Sequence, residues 1–216
     1  MNRHIIPALI LAAALLAACS TPPVKTADKN FERAWLAYTT LRTDQAVGYF
    51  ADAADYYAKA LEADQPSRVA QYPSSRVKAG MANYFAGRFE KCIASMASAR
   101  RTGERIWEAD LFTALAHARL GDRDKAIGNL ALFLEGLPPV RMVFEIAQVQ
   151  LAGLQYDADL DRTADILEES VQKQIVEDIR LTLSPNTIMP VTERCSGTFW
   201  WRRNKKPCSA SRDTGQ

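Results

Sequence analysis

A dense group of carboxyl side chains lies between Asp157 and Glu169, a stretch that also holds Asp159, Asp161 and Glu168. Two carboxyls at a set separation, one with a raised pKa, are what glycoside hydrolysis requires. Nothing in the sequence sets such a pair apart here, and carboxylates on a solvated helix face and at a helix N-cap account for these residues more simply. The alternation Asp157-Ala158-Asp159-Leu160-Asp161 suggests calcium, but it lacks the glycine turn and the distal glutamate of the known loop. His117 stands among alanines with no second ligand at metal-binding spacing. Cys92, within Phe89-Glu90-Lys91-Cys92-Ile93-Ala94, has no charged activator that the sequence can place beside it, and reads as a buried small residue. No Gly-rich phosphate loop follows a strand. The residues predict no enzyme, no metal and no cofactor.

A second cluster lies near the C-terminus. Phe199-Trp200-Trp201-Arg202-Arg203-Asn204-Lys205-Lys206 joins three aromatics to four cations. Tryptophan favours membrane interfaces and cations attract anionic headgroups. Trp200, Trp201, Arg202, Arg203, Lys205 and Lys206 are therefore candidates for contact with lipopolysaccharide, anionic lipid or peptidoglycan. The other reading is a loop whose aromatics pack on the body of the protein.

The N-terminus supplies an address. Arg3 precedes an apolar run from Ile5 to Leu16, which ends in Leu16-Ala17-Ala18-Cys19. The run is shorter than the roughly 20 residues a spanning helix needs, and the layout is that of a secretory signal with a small-residue cleavage site. Its last four residues resemble the bacterial lipobox. That resemblance implies cleavage after residue 18 and acylation of Cys19. Each buried methylene adds about 0.8 kcal/mol of membrane affinity. In such lipoproteins an Asp after the cysteine favours inner-membrane retention, and Ser20 stands here. The expected location is the outer membrane, facing the periplasm, with the inner membrane second. In that oxidising compartment Cys195 and Cys208 are expected to pair, closing a loop worth about 3 kcal/mol.

The net charge of the 216-residue chain is +2, and +1 once Arg3 is removed. Residues 194–216 carry six cations against Asp213, or +5, so the rest of the mature chain is −4. A nucleic-acid binder shows its basic face on the folded domain, so no nucleic-acid partner is expected.

These features must be carried on helices. Residues 19–29, with Pro22 and Pro23, read as a lipidated tether. From residue 30 to 183, apolar residues recur at three and four, β-branched runs are short, and breakers fall at Gly48, Pro66, Pro73, Gly87, Gly103, Gly121, Pro138-Pro139 and Tyr156-Asp157. Residues 184–216 form the basic, aromatic tail.

The segment Ala79–Ile93 repeats in layout as Thr113–Ile127, with the glycines Gly87 and Gly121 spaced 34 residues apart. This period resembles the tetratricopeptide repeat. Gly80 and Ala114 stand where that family has a small residue in its first helix. Cys92 and Ala126 open the second helix, followed by Met96 and Leu130. An earlier unit takes Gly48 as its turn, with a first helix over about 31–45 and about five extra residues near 65–72. A degenerate pair, about 140–155 and 161–181, forms a cap.

The resemblance implies an all-α fold: a right-handed, tetratricopeptide-like solenoid of about three repeats plus a C-terminal capping helix pair. Small residues would let the helices approach and bury apolar faces that no single pair can bury. The resemblance also implies a concave groove lined by Val77, Met81, Tyr84 and Phe85, then by Leu111, Leu115 and Arg119, with Tyr38 and Arg42 in the first unit. Apolar stripes at helical spacing are core by default, so groove and core stand as alternatives for these side chains. The expected function is that of a membrane-anchored adaptor for an envelope protein partner in an assembly, secretion, pilus or cell-wall system.

Overall fold

The computed structural model describes residues 21–100, 105–182, 199 and 201. The described residues form eight α-helices and no strand: α1 (Pro23–Thr39), α2 (Thr43–Leu61), α3 (Pro73–Phe85), α4 (Phe89–Ala99), α5 (Trp107–Arg119), α6 (Arg123–Glu135), α7 (Arg141–Gln155) and α8 (Leu160–Thr182). None is long and apolar enough to cross a membrane.

Four hairpins, α1–α2, α3–α4, α5–α6 and α7–α8, share one closure. Leu41, Gly87, Gly121 and Asp157 all have positive φ, at 59°, 73°, 77° and 73°. At each turn the next residue's N–H reaches back five positions: Arg42 to Ala37, Arg88 to Asn83, Asp122 to His117, and Ala158 to Gly153, at 2.8–3.0 Å. The positive-φ residue itself donates three positions back, to Tyr38, Tyr84, Ala118 and Leu154. This is the Schellman pattern, which satisfies the last carbonyls of the first helix.

The register of the first unit therefore differs from the sequence expectation. Its turn is Leu41, and Gly48 lies inside α2. Glycine was the signal, but a non-glycine residue can adopt the left-handed region at a cost. The last unit has the same closure with Asp157 in place of glycine. The four turns are 46, 34 and 36 residues apart. The long first interval holds the connection at 62–72, in which Ala70 is buried and the Val69 carbonyl accepts from Ser75 Oγ at 2.7 Å.

The expected tether is also shortened. Pro23 sits at the first position of α1, where its missing N–H costs nothing. Val24, Ala27, Phe31, Ala34 and Trp35 then form a buried stripe at three- and four-residue spacing. Asp28, inside the expected tether, joins three helices: its Oδ1 accepts from Tyr57 Oη at 2.6 Å and from Lys78 Nζ at 2.7 Å. Burial, and then the Asp28 charge, push the Tyr57 phenol well above its ordinary range.

The helices pack along the chain, each on the next, and α3 also touches α1 and α5. Gly80, Ala114, Cys92, Ala126, Met96 and Leu130 all lie inside this stack. At Gly80 an added Cβ would come within 2.7 Å of Met96 Cε, so a larger residue there would displace the Met96 side chain of α4. Cys92 is wholly buried, and burial raises its thiol pKa.

Candidate functional site

The face shared by α1, α3 and α5 is where the sequence places a groove. Val77, Met81, Leu111 and Leu115 are at most 1 % exposed. These four side chains are core and offer nothing to a partner, a correction to the groove reading. Every residue of α3 from Pro73 to Tyr84 is buried except Arg76, and α5 is buried from Trp107 to Ala116. A helix buried on all sides must be covered on the face that its own hairpin partner leaves open. Two parts of the C-terminal region supply that cover.

The first is α8. It crosses the three first helices at their C-terminal ends. Arg119 of α5 donates to Asp161 Oδ1 at 3.2 Å, Asp165 Oδ1 at 2.5 Å and Glu168 Oε1 at 2.6 Å. Tyr84 of α3 donates its hydroxyl to Glu168 Oε1, and Gln172 Nε2 donates to the Tyr38 carbonyl of α1 at 2.9 Å. Asp161 and Gln172 are eleven residues apart, about 16 Å of helix. That matches two interaxial spacings of roughly 8–10 Å.

The carboxylates that opened the sequence analysis thus serve as a clasp across the stack. Burial works against the Arg119 cation, but its hydrogen bonds to Glu168 and Asp165 outweigh that and raise its pKa. The Tyr84 phenol is raised strongly by burial and by Glu168. The Tyr38 phenol is pushed up to about 12 by burial, then by the Glu168 charge.

Alongside this clasp, Ala164, Leu167, Val171 and Ile175 bury the apolar stripe of α8. Full burial of side chains such as Leu167, Val171 and Ile175 contributes about 1.5–3 kcal/mol each, so α8 is an integral part of the fold. Tyr38 and Phe85 are half-buried in one aromatic cluster with Trp35 and Phe50, and the Phe85 and Phe50 rings stack at 4.7 Å. Arg42 is exposed at the α1–α2 turn, its Nε donating to Thr40 Oγ1 at 3.1 Å.

The second cover is the pair Phe199 and Trp201, 2 % and 1 % exposed. The Trp201 ring lies 5.7 Å from Phe31 of α1 and 5.6 Å, at 90°, from Phe199. Its indole N–H donates to Glu108 Oε1 of α5 at 3.2 Å. Trp201 is thus held in the protein body and is not an envelope-contact residue, a second correction. Its indole is a large apolar surface with a single donor, and Glu108 inside the stack offers the matching acceptor. Cys19, Cys195, Cys208, Trp200, Arg202, Arg203, Lys205 and Lys206 lie outside the described residues.

Three participants were missed in the sequence: Asp28, Glu108 and Phe31. A signal existed for Glu108, which stands three and seven residues before Leu111 and Leu115 and so shares their face. Asp159 caps α8, its Oδ1 accepting from Arg162 N at 2.7 Å. Burial lowers the His117 pKa, although Asp122 lies 3.7 Å from its Nδ1. Among the described residues no group of three or more His, Cys, Asp or Glu could hold a metal ion. On the opposite side, between α2 and α4, a cavity of about 230 Å³ is lined by Ala58, Ala79 and Asn83 and by the Asp55–Arg88 ion pair.

No protein-family model, no curated protein and no solved structure matches this chain.

Proposed function

We propose that this chain is a lipid-anchored envelope adaptor built on tetratricopeptide-like helical repeats. It would be held by acylated Cys19 at the periplasmic face of the outer membrane and engage an envelope protein partner. The observation that carries the reading is the fourfold recurrence of one hairpin closure, at Leu41, Gly87, Gly121 and Asp157, with 34 and 36 residues between the last three. Repeated helix pairs that stack on their neighbours build extended surfaces suited to holding another chain. The lipobox-like Leu16-Ala17-Ala18-Cys19 supports the anchorage, and acylation gives it a physical basis.

The experiment is photo-crosslinking in intact cells from probes at exposed positions, such as Lys91 of α4 and Lys173 of α8, in the full chain and in Cys19→Ser. The reading expects lipid labelling that depends on Cys19 and a discrete crosslinked envelope protein that the unanchored chain does not recover. Lipid label on Cys19→Ser, or no discrete crosslink from any position, would refute it.

A further inference from the structure

α7 opens the last hairpin and packs chiefly on α6 and α8. Its inward stripe is Val143, Ala147 and Leu154. One flank of its outward side is apolar as well. Met142, Val149 and Tyr156 are 38 %, 65 % and 88 % exposed. They lie seven residues apart, so they form one line along the helix that drifts by about 20° per heptad. Ile146 and Gly153 fall on the same line at the intermediate positions. The result is the alternating four- and three-residue spacing of a coiled-coil seam. The end of a helical stack is ordinarily closed by a polar face; here it carries an apolar seam.

The symmetry of the seam selects its occupant. With Val149 on a twofold axis, an antiparallel second α7 sets each residue opposite the one equally far beyond Val149. Met142 and Tyr156 are both seven residues from Val149, and they meet. Ile146, three residues before it, meets Ala152, three residues after, with Gly153 alongside. A large side chain thus faces small residues. Arg141 and Asp157, both eight residues away, meet with opposite charge. Their side chains are 90 % and 93 % exposed. Within the chain Arg141 pairs with the exposed Glu145 at 2.7 Å, and Asp157 lies 3.7 Å from Arg123. Such pairs are weak enough in water to admit a second partner. Arg141 is also the first residue of α7, the positive end of the helix dipole, where a cation is unfavourable. The C-terminus of an antiparallel partner brings the opposite sign to it.

We propose that this flank of α7 is a self-association surface, through which two copies of the chain pair by antiparallel α7 helices about Val149. A closed twofold contact uses one patch twice, so assembly stops at the dimer and leaves no seam open. A contact of about four helical turns is small for a protein interface, which sets the affinity in the micromolar range. Pairing through α7 does not depend on the adaptor role.

The test co-produces two full-length copies bearing different affinity tags, each with a photo-reactive residue in place of the exposed Ala152. After illumination one tag is captured and the other is detected. The unsubstituted pair should give a product of twice the chain mass. Val149→Asp in both copies sets two carboxylates against each other on the axis and should weaken pairing about a hundredfold. Val149→Lys in both copies should do the same. One copy of each variant should restore the product, because the axis then joins opposite charges; recovery also shows that both variants fold. No product of twice the mass from the unsubstituted pair would overturn the proposal. So would an undiminished product from either variant alone, or a mixed pair that stays uncrosslinked. A crosslink from this position only to a protein of another mass would overturn it as well.

Discussion

The same substitution, glycine to alanine, should have opposite effects at Gly48 and Gly87. Both glycines look like turn residues in the sequence. In the structure Gly48 is an exposed position inside α2, where an added Cβ meets nothing within 4 Å. Glycine in a helix interior is about 0.5–1 kcal/mol worse than alanine, so Gly48→Ala should stabilise the protein by about that amount. Gly87 also has open space around it, but its φ is +73°. The left-handed region costs a residue with a Cβ roughly 1–2 kcal/mol, partly offset by about 0.4–1 kcal/mol of reduced unfolded-state entropy. Gly87→Ala should therefore destabilise by about 1 kcal/mol. For a domain of this size each change moves the melting temperature by about 2–4 °C per kcal/mol. Urea unfolding followed by far-ultraviolet circular dichroism separates the two, because a stability change shifts the midpoint without altering the slope. Destabilisation by both substitutions would place a turn at Gly48 and refute the register of the first hairpin.

Four further expectations follow, three from the geometry and one from the sequence. Leu41→Gly should raise the urea midpoint, since Leu41 has a φ of 59° and is 83 % exposed, so left-handed strain is relieved with little burial lost. Ile175→Ala, at a fully packed site of α8, should cost about 2–5 kcal/mol in the same assay; a loss below 0.5 kcal/mol would show that α8 does not close the stack. His117 is held below its ordinary pKa chiefly by burial, so its neutral form contributes stability above the unfolded value of about 6.5, and that contribution is lost as pH falls through the lower folded value. Replacing His117 with Gln should flatten the fall in stability over that window, and an unchanged pH profile would remove the assignment. On the exported-lipoprotein reading, mass spectrometry should find Cys195 and Cys208 joined, and free thiols at both would remove the expected disulfide.

Much of the helical layout was legible in the sequence, because period, alanine content and breakers act locally. The turns at Gly87 and Gly121 and the cap near Asp159 follow from short-range rules, whereas the small residues at Gly80, Cys92, Ala114 and Ala126 were picked out by the resemblance to the tetratricopeptide repeat. The first hairpin was misplaced because its closing residue is Leu41, and left-handed leucine has no composition signature. The start of α1 was missed because Pro22 and Pro23 resemble a linker, although Val24, Ala27 and Phe31 continue the helical spacing.

What the face of α1, α3 and α5 does was decided only in three dimensions. The sequence by itself determined that Val77, Met81, Leu111, Leu115, Tyr84 and Arg119 lie on helix faces at three- and four-residue spacing, since periodicity depends only on neighbours along the chain. It could not say what lies opposite them. Arg119 meets Asp161, Asp165 and Glu168 across more than forty residues, Tyr38 meets Gln172 across 134, and Glu108 meets Trp201 across 93. Such pairings depend on how the stack folds back on itself. The tertiary structure therefore decided that the expected groove is covered by the chain's own C-terminal region.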